Sequence, residues 1–423
     1  MGLSKRLSKW LTIALVSTIP WLATSAAAEE QAGATEAAPT KPSHISAKVC
    51  KQCHETIYEQ WKGSMHANST ALQDPIHGGF YRYVVGNPAE EDVKTKAGKY
   101  PVCLFCHSPA AAADGKTDLD SKVSYSEGVN CMGCHLLKEY KGLDQPDGSL
   151  KYGIKTYVMS DSAIQGSSGK NYTTNPTAAN QDDPNFHPFP LVGNSMMRTS
   201  DACMGCHDRR NNAHGVPLCV TGKEYEKSST FVACQSCHMP KVDGITDHSL
   251  AGGHGSANMR SSLILNAEVK KKGDGAAVTV TAKNPLPHAF PTGAPFRNFY
   301  IKVTAYDEQG NEIWQNFKQH PMKEDPQSLF VVVLGDEEGK PTGPPTARQI
   351  LKDARLQANE TRTLEYDIPV AGVARVRAEA LYNLVLPPHI QMLGKIAKDD
   401  PTMPAMDKDL FKPKPVAVAE AKL

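Results

Sequence analysis

Apolar and polar positions divide this 423-residue chain into stretches of different period. Behind Lys5, Arg6 and Lys9 lies an apolar run over 10–22, closed by Ala26-Ala27-Ala28. A basic start, a short apolar run and an A-x-A pattern make a cleavable export signal, too short and wrongly flanked for a membrane span. No other segment approaches spanning length, so no transmembrane segment is expected once residues 1–28 are removed. Residues 29–44 are rich in Ala, Pro and Glu without apolar period and read as a flexible leader. Residues 45–260 predict short helices and loops with little regular structure, and 141–185, rich in Gly, Ser, Asn, Thr and Asp, read as a surface insertion.

After residue 261 the period changes to two. Residues 263–269 and 277–283 alternate around the turn Lys272-Gly273-Asp274-Gly275. Further strand-like runs cover 299–306, 312–317, 329–334, 361–367 and 374–385. Short strands between turn signals predict an all-β sandwich over 261–394, immunoglobulin-like in size. Residues 395–423, rich in Lys, Pro and Ala, are expected to be extended or disordered.

Cysteine adds chemistry to this outline. Ten of the eleven cysteines fall in five copies of Cys-x-x-Cys-His: Cys50, Cys53 and His54; Cys103, Cys106 and His107; Cys131, Cys134 and His135; Cys203, Cys206 and His207; Cys234, Cys237 and His238. This pentapeptide attaches c-type haem. Two thiols add across the porphyrin vinyl groups, and the next residue brings an imidazole to one axial face of the iron. Structural zinc does not require a histidine after every second cysteine, and an odd cysteine count does not suit a disulfide framework. Five covalently bound haem c groups are therefore expected, with the proximal irons on His54, His107, His135, His207 and His238. Covalent haem attachment outside the cytoplasm agrees with the export signal and implies a periplasmic, extracellular or cell-surface protein.

From Cys50 to His238 there are 189 residues, about 38 per haem, so porphyrins must supply much of the buried apolar surface. Successive motifs start 53, 28, 72 and 31 residues apart, which suggests near contact between haems two and three and between four and five. Without residues 1–28 the chain carries 43 Lys+Arg against 45 Asp+Glu, and haem propionates add acid. That balance excludes nucleic acid as an expected partner and points to redox proteins, with self-association a further option.

The segments around the motifs carry a family resemblance. Cys50-x-x-Cys53-His54 followed by Trp61-Lys62-Gly63-Ser64-Met65-His66-Ala67 resembles the opening of the cytochrome c554-type multihaem cytochromes. Cys106-His107-Ser108-Pro109-Ala110, Glu127-Gly128-Val129-Asn130-Cys131 and Cys237-His238-Met239-Pro240 are similar to other elements of that group, and together they cover about residues 48–255. The fifth motif and the β-region depart from its tetrahaem pattern.

The sixth iron ligand decides between functions. A second histidine closes the iron for electron transfer, whereas an open position binds substrate. Fifteen histidines leave ten outside the motifs. His66 resembles a family ligand, and His248 lies in a Gly-rich loop near where such ligands lie in similar cytochromes. His254 has glycine on both sides, His288 follows Pro287 in a rigid loop, and His214 precedes Gly215. These five are the distal candidates, with His77 and His187 behind them; His44, His320 and His389 read as loop histidines. The expected function is electron transfer, as in a respiratory chain, through bis-His low-spin haems. A reductase or oxidase of a small nitrogen or sulfur compound at one open haem, and a subunit of a polymerising extracellular filament, are the alternatives.

Overall fold

The computed structural model describes residues 41–171, 187, 189–255 and 259–423, and these pack as one unit. The expected export signal and most of the expected leader fall outside the described residues. Each haem motif sits on or against a short helix: Ala47–Lys51, Leu104–His107, Cys131–His135, Asp201–His207 and Cys234–His238. Apolar side chains of this region form several small clusters, one around Tyr81, Leu104 and Tyr125, another around Ile45, Met132 and Leu136, and a third around Tyr58 and Trp61. No single core spans it, in line with the short chain length per motif.

The 141–185 segment is a surface insertion only in part. Leu137–Tyr140 pairs antiparallel with Tyr157–Met159, and the turn Gly153–Thr156 is buried. There the Tyr157 hydroxyl donates to Asp201 O (2.8 Å) and accepts from Gly205 N (2.9 Å), which fastens the segment to the fourth motif helix. Its polar and glycine residues at 144, 147–149, 161–162 and 167–171 are exposed, as a surface insertion requires. Residues 172–186 fall outside the described ones.

The β-region follows the period-two reading closely. Strands β1 (Ile264–Lys272) and β2 (Gly275–Lys283) form a hairpin turning at Gly273, and β8 (Thr361–Ile368) pairs with β2. A second antiparallel sheet runs in the order β4 (Glu312–Gln315), β3 (Asn298–Tyr306), β9 (Arg375–Asn383) and β10 (Lys414–Lys422), with β5 (Leu329–Phe330) also on β3. Alternate residues of both sheets (Val278, Val280, Leu364, Ile301, Val303, Ala378 and Ala380) share one core. β6 (Val332–Gly335) pairs with β7 (Gln349–Asp353) as a separate ribbon.

Two elements were not expected. Helix Pro387–Asp399 buries Leu393 against the helix Pro75–Val84, and the segment read as an extended or disordered tail ends as β10. The Pro-Val-Ala-Val-Ala-Glu-Ala-Lys sequence has weak side-chain signal, so its strand depends on pairing with β9, aided by Glu420 against Arg375 and Arg377.

The two regions are stitched together at several points. Arg82 pairs with Asp400 and donates to Thr402 O (3.0 Å). Asn212 Nδ2 donates to Pro344 O (2.9 Å) and Ala347 O (2.8 Å), beside an apolar contact of Val216 with Val332 and Leu334. Among the described residues no helix is long and apolar enough to cross a membrane.

Candidate haem-binding site

Three motif histidines share one arrangement. Nδ1 lies against a backbone carbonyl in His107 (Ser69 O, 3.0 Å), His135 (Gln165 O, 2.8 Å) and His238 (Ala251 O, 2.7 Å). A carbonyl only accepts, so Nδ1 carries the proton and the Nε2 lone pair is left for a metal. Three histidines outside the motifs do the same: His77 (Ser69 O, 2.8 Å), His248 (Thr246 O, 2.7 Å) and His288 (Ala289 O, 3.0 Å); His187 Nδ1 lies near Phe189 O (2.6 Å) but also accepts from Phe189 N (3.2 Å). His77 Nε2 is buried with no hydrogen-bond partner among the described residues.

These rings meet in pairs. The His66 and His207 centroids lie 5.9 Å apart, and those of His238 and His288 lie 6.4 Å apart. Two imidazoles on one metal, with bonds of about 2 Å, hold their centroids roughly 6 Å apart. His77 and His107 stack at 3.9 Å, closer than two ligands of one iron stand. His54 is depressed by burial first and then by repulsion from His187 and His248, and His135 feels the same two rings. Burial, followed by repulsion from His207, pushes His66 down to about 3, and burial alone of the leading causes takes His77 down to about 4. These imidazoles are neutral at neutral pH, the form a metal needs.

Local chemistry holds each ring. The backbone carbonyl of His66 accepts from Val129 N (2.8 Å), and Gly128 (φ +65°) lies against it, where a Cβ would come within 2.3 Å. Between the fourth motif's cysteines, a Cβ on Gly205 would stand 2.1 Å from Thr156 Oγ1 and 2.2 Å from the Tyr157 ring. The His288 loop is anchored by buried Glu224. Its Oε2 accepts from Ala289 N (3.2 Å) and Thr292 Oγ1 (2.6 Å), and its Oε1 from Arg355 Nη1 (2.6 Å). Asn284 Nδ2 donates to His288 O (2.8 Å).

Thiol contacts link the motifs. Cys50 meets Cys131, Cys106 meets Cys206, and Cys203 meets Cys234. Motif one therefore stands beside three, two beside four and four beside five. The expected neighbours four and five are found together. Thiol contacts also join one to three and two to four, and Gly133 of the third motif lies against Pro109, just past the second.

Two of the sequence candidates stand elsewhere. His214 is exposed on the turn between Arg210–Asn211 and Pro217–Cys219, and its backbone N donates to Asn212 Oδ1 (2.9 Å). His254 is partly buried near Arg297 and Lys414, which together with burial, the largest cause, lower it to about 4. Among the described residues neither ring contacts a motif histidine. His77 instead stacks on His107, and His187 lies near His54 and His135. Their signals were present: His77 precedes Gly78-Gly79, and His187 stands before Pro188.

Paired cysteines and carbonyl-oriented imidazoles, repeated along one chain, define a protein built around several covalently held haems. The family model for cytochrome c554 and c-prime matches residues 49–136. The penta-heme cytochrome c552 from Thermochromatium tepidum is 44% identical, covers 90% of this chain and all of its own, and superposes with a TM-score of 0.81. The C-type polyheme cytochrome OmcC of Geobacter sulfurreducens is 26% identical over 257 residues, 51% of this chain, and the chain spans about a third of that relative's length (32%). The chain belongs to the multihaem c-type cytochromes. It uses haem c, and its class is consistent with electron transfer.

Proposed function

We propose that the chain is a pentahaem electron carrier of the periplasm or cell exterior, with every iron closed by two histidines. The single observation that carries this is the set of non-motif histidines turned toward motif histidines, most with Nδ1 tied to a carbonyl. The ten motif cysteines hold the haems. His66 serves the haem of His207, His288 that of His238 and His77 that of His107, whose rings part to take the iron. His187 and His248 serve the haems of His54 and His135 between them. Closed irons neither bind nor turn over substrate, so the group supplies reversible Fe(III)/Fe(II) chemistry. The motif contacts one–three, two–four and four–five, with Cys134 acting on both Cys203 and Cys206, make a continuous path for electrons. The β-region, which we read as an immunoglobulin-like sandwich, contributes His288. Redox proteins are the expected partners.

The test is an electron paramagnetic resonance spectrum of the oxidised protein with a pyridine haemochrome count. Five haems per chain and only low-spin ferric signals are expected. A stoichiometric high-spin signal would sink the reading in favour of an open, reactive haem.

A further inference from the structure

We propose that Arg297 and Tyr382, with His254 and Lys414 beside them, form a carboxylate cradle for a propionate of the haem carried by Cys234 and Cys237. The proposal rests on the haem assignment above. Tyr382 is 1% exposed, and its hydroxyl is buried with no hydrogen-bond partner among the described residues. A buried hydroxyl is costly to leave unmatched, and such an orphan marks a missing partner. Arg297 lies next to it with most of its donors unspent. Among the described residues its guanidinium makes one hydrogen bond, from Nη1 to Thr292 O (3.2 Å), out of five N–H groups.

The two donors flank one point of backbone. A Cβ on Gly253 would stand 2.8 Å from Tyr382 Oη and 3.3 Å from Arg297 Nη1, and one on Gly293 would stand 3.0 Å from Arg297 Nη1. Small residues therefore keep space around the guanidinium. Lys414 faces Tyr382 across the β9–β10 pair, and both Arg297 and Lys414 act on His254. Asp74, which feels Arg297, already accepts from Ile76 N (2.8 Å) at a helix start, and Glu224, beyond Thr292, is paired with Arg355.

Three cationic or proton-donating side chains and a hydroxyl thus converge with little acid to answer them. A planar carboxylate suits a guanidinium fork. Gly253 lies two residues from Ala251, whose carbonyl faces His238 Nδ1 (2.7 Å), and Arg297 bonds Thr292 O in the His288 loop, which places the cradle beside the fifth motif rather than at a distant surface. His254, unplaced as an iron ligand, gains a role here as a neighbour of the propionate.

A guanidinium beside a propionate disfavours the more positive ferric haem, so its removal lowers the potential. In spectroelectrochemical titrations, Arg297→Met is expected to lower the midpoint of one haem, and Tyr382→Phe to lower the same one by less. The remaining haems stay unchanged, and excess acetate leaves the wild-type potentials where they were. Unmoved potentials in both variants overturn the cradle, and so does a wild-type shift with acetate, which would make it a site for solution anions. If Arg297→Met does not fold, Tyr382→Phe together with the charge-keeping Arg297→Lys decides: the first must lower one potential and the second must largely preserve it. Fewer than five haems in the wild-type protein would instead fail the haem assignment itself.

Discussion

A hydrogen bond from imidazole Nδ1 to a carbonyl recurs on six histidines, and it sets what each can do. Fixing the tautomer aims Nε2 and raises its basicity before any metal arrives. On the proposed ligand set, His288→Ala or His77→Ala should each convert one haem to high spin, visible in the oxidised spectrum. His214→Ala should leave that spectrum unchanged. Gly205→Ala forces a methyl into Thr156 and Tyr157 and should cost about 1–3 kcal/mol in a denaturant titration. The motif residues were fully legible in the sequence because covalent attachment demands fixed local spacing. On the proposed ligand set the second histidines were only partly legible, since tertiary packing selects them. His254 has the glycine neighbours that favour close approach, yet it packs beside Arg297.

At the scale of elements, strands with a buried face announced themselves by alternation, as β2 does with Ala276, Val278, Val280 and Ala282 all buried. The exposed strand β7 has no such face, and β10 is held chiefly by its neighbour, so neither was readable alone. Helix Thr221–Lys227 shows how an element can matter through one side chain. Its Glu224 joins Arg355 and the His288 loop in a buried network. Glu224→Ala removes one of the two carboxylates on Arg355, which keeps Asp353, and frees Ala289 N and Thr292 Oγ1, so a loss of about 1–3 kcal/mol is expected by chemical denaturation. Glu224→Gln keeps acceptor oxygen for the loop and should lose less.

Across the whole molecule, the start of the described chain is tied down at one carboxylate. Burial alone would raise Asp114, but bonds from Tyr125, Lys41 and His44 outweigh it and hold the group below its usual 3.8. A depressed folded pKa gives stability that is complete above 3.8 and is lost as pH falls through the lower folded value. Asp114→Asn should therefore be less stable than wild type at neutral pH, with the gap in melting temperature narrowing as pH drops below 3.8. The fifth motif and the His288 ring that faces it come from opposite sides of the regional boundary. On the proposed ligation, a chain exported amino end first presents Cys234 and Cys237 for haem attachment before residue 288 has emerged. The fifth iron would pass through a five-coordinate interval during biogenesis, and it would close only when the β-region folds, making that folding the final maturation step.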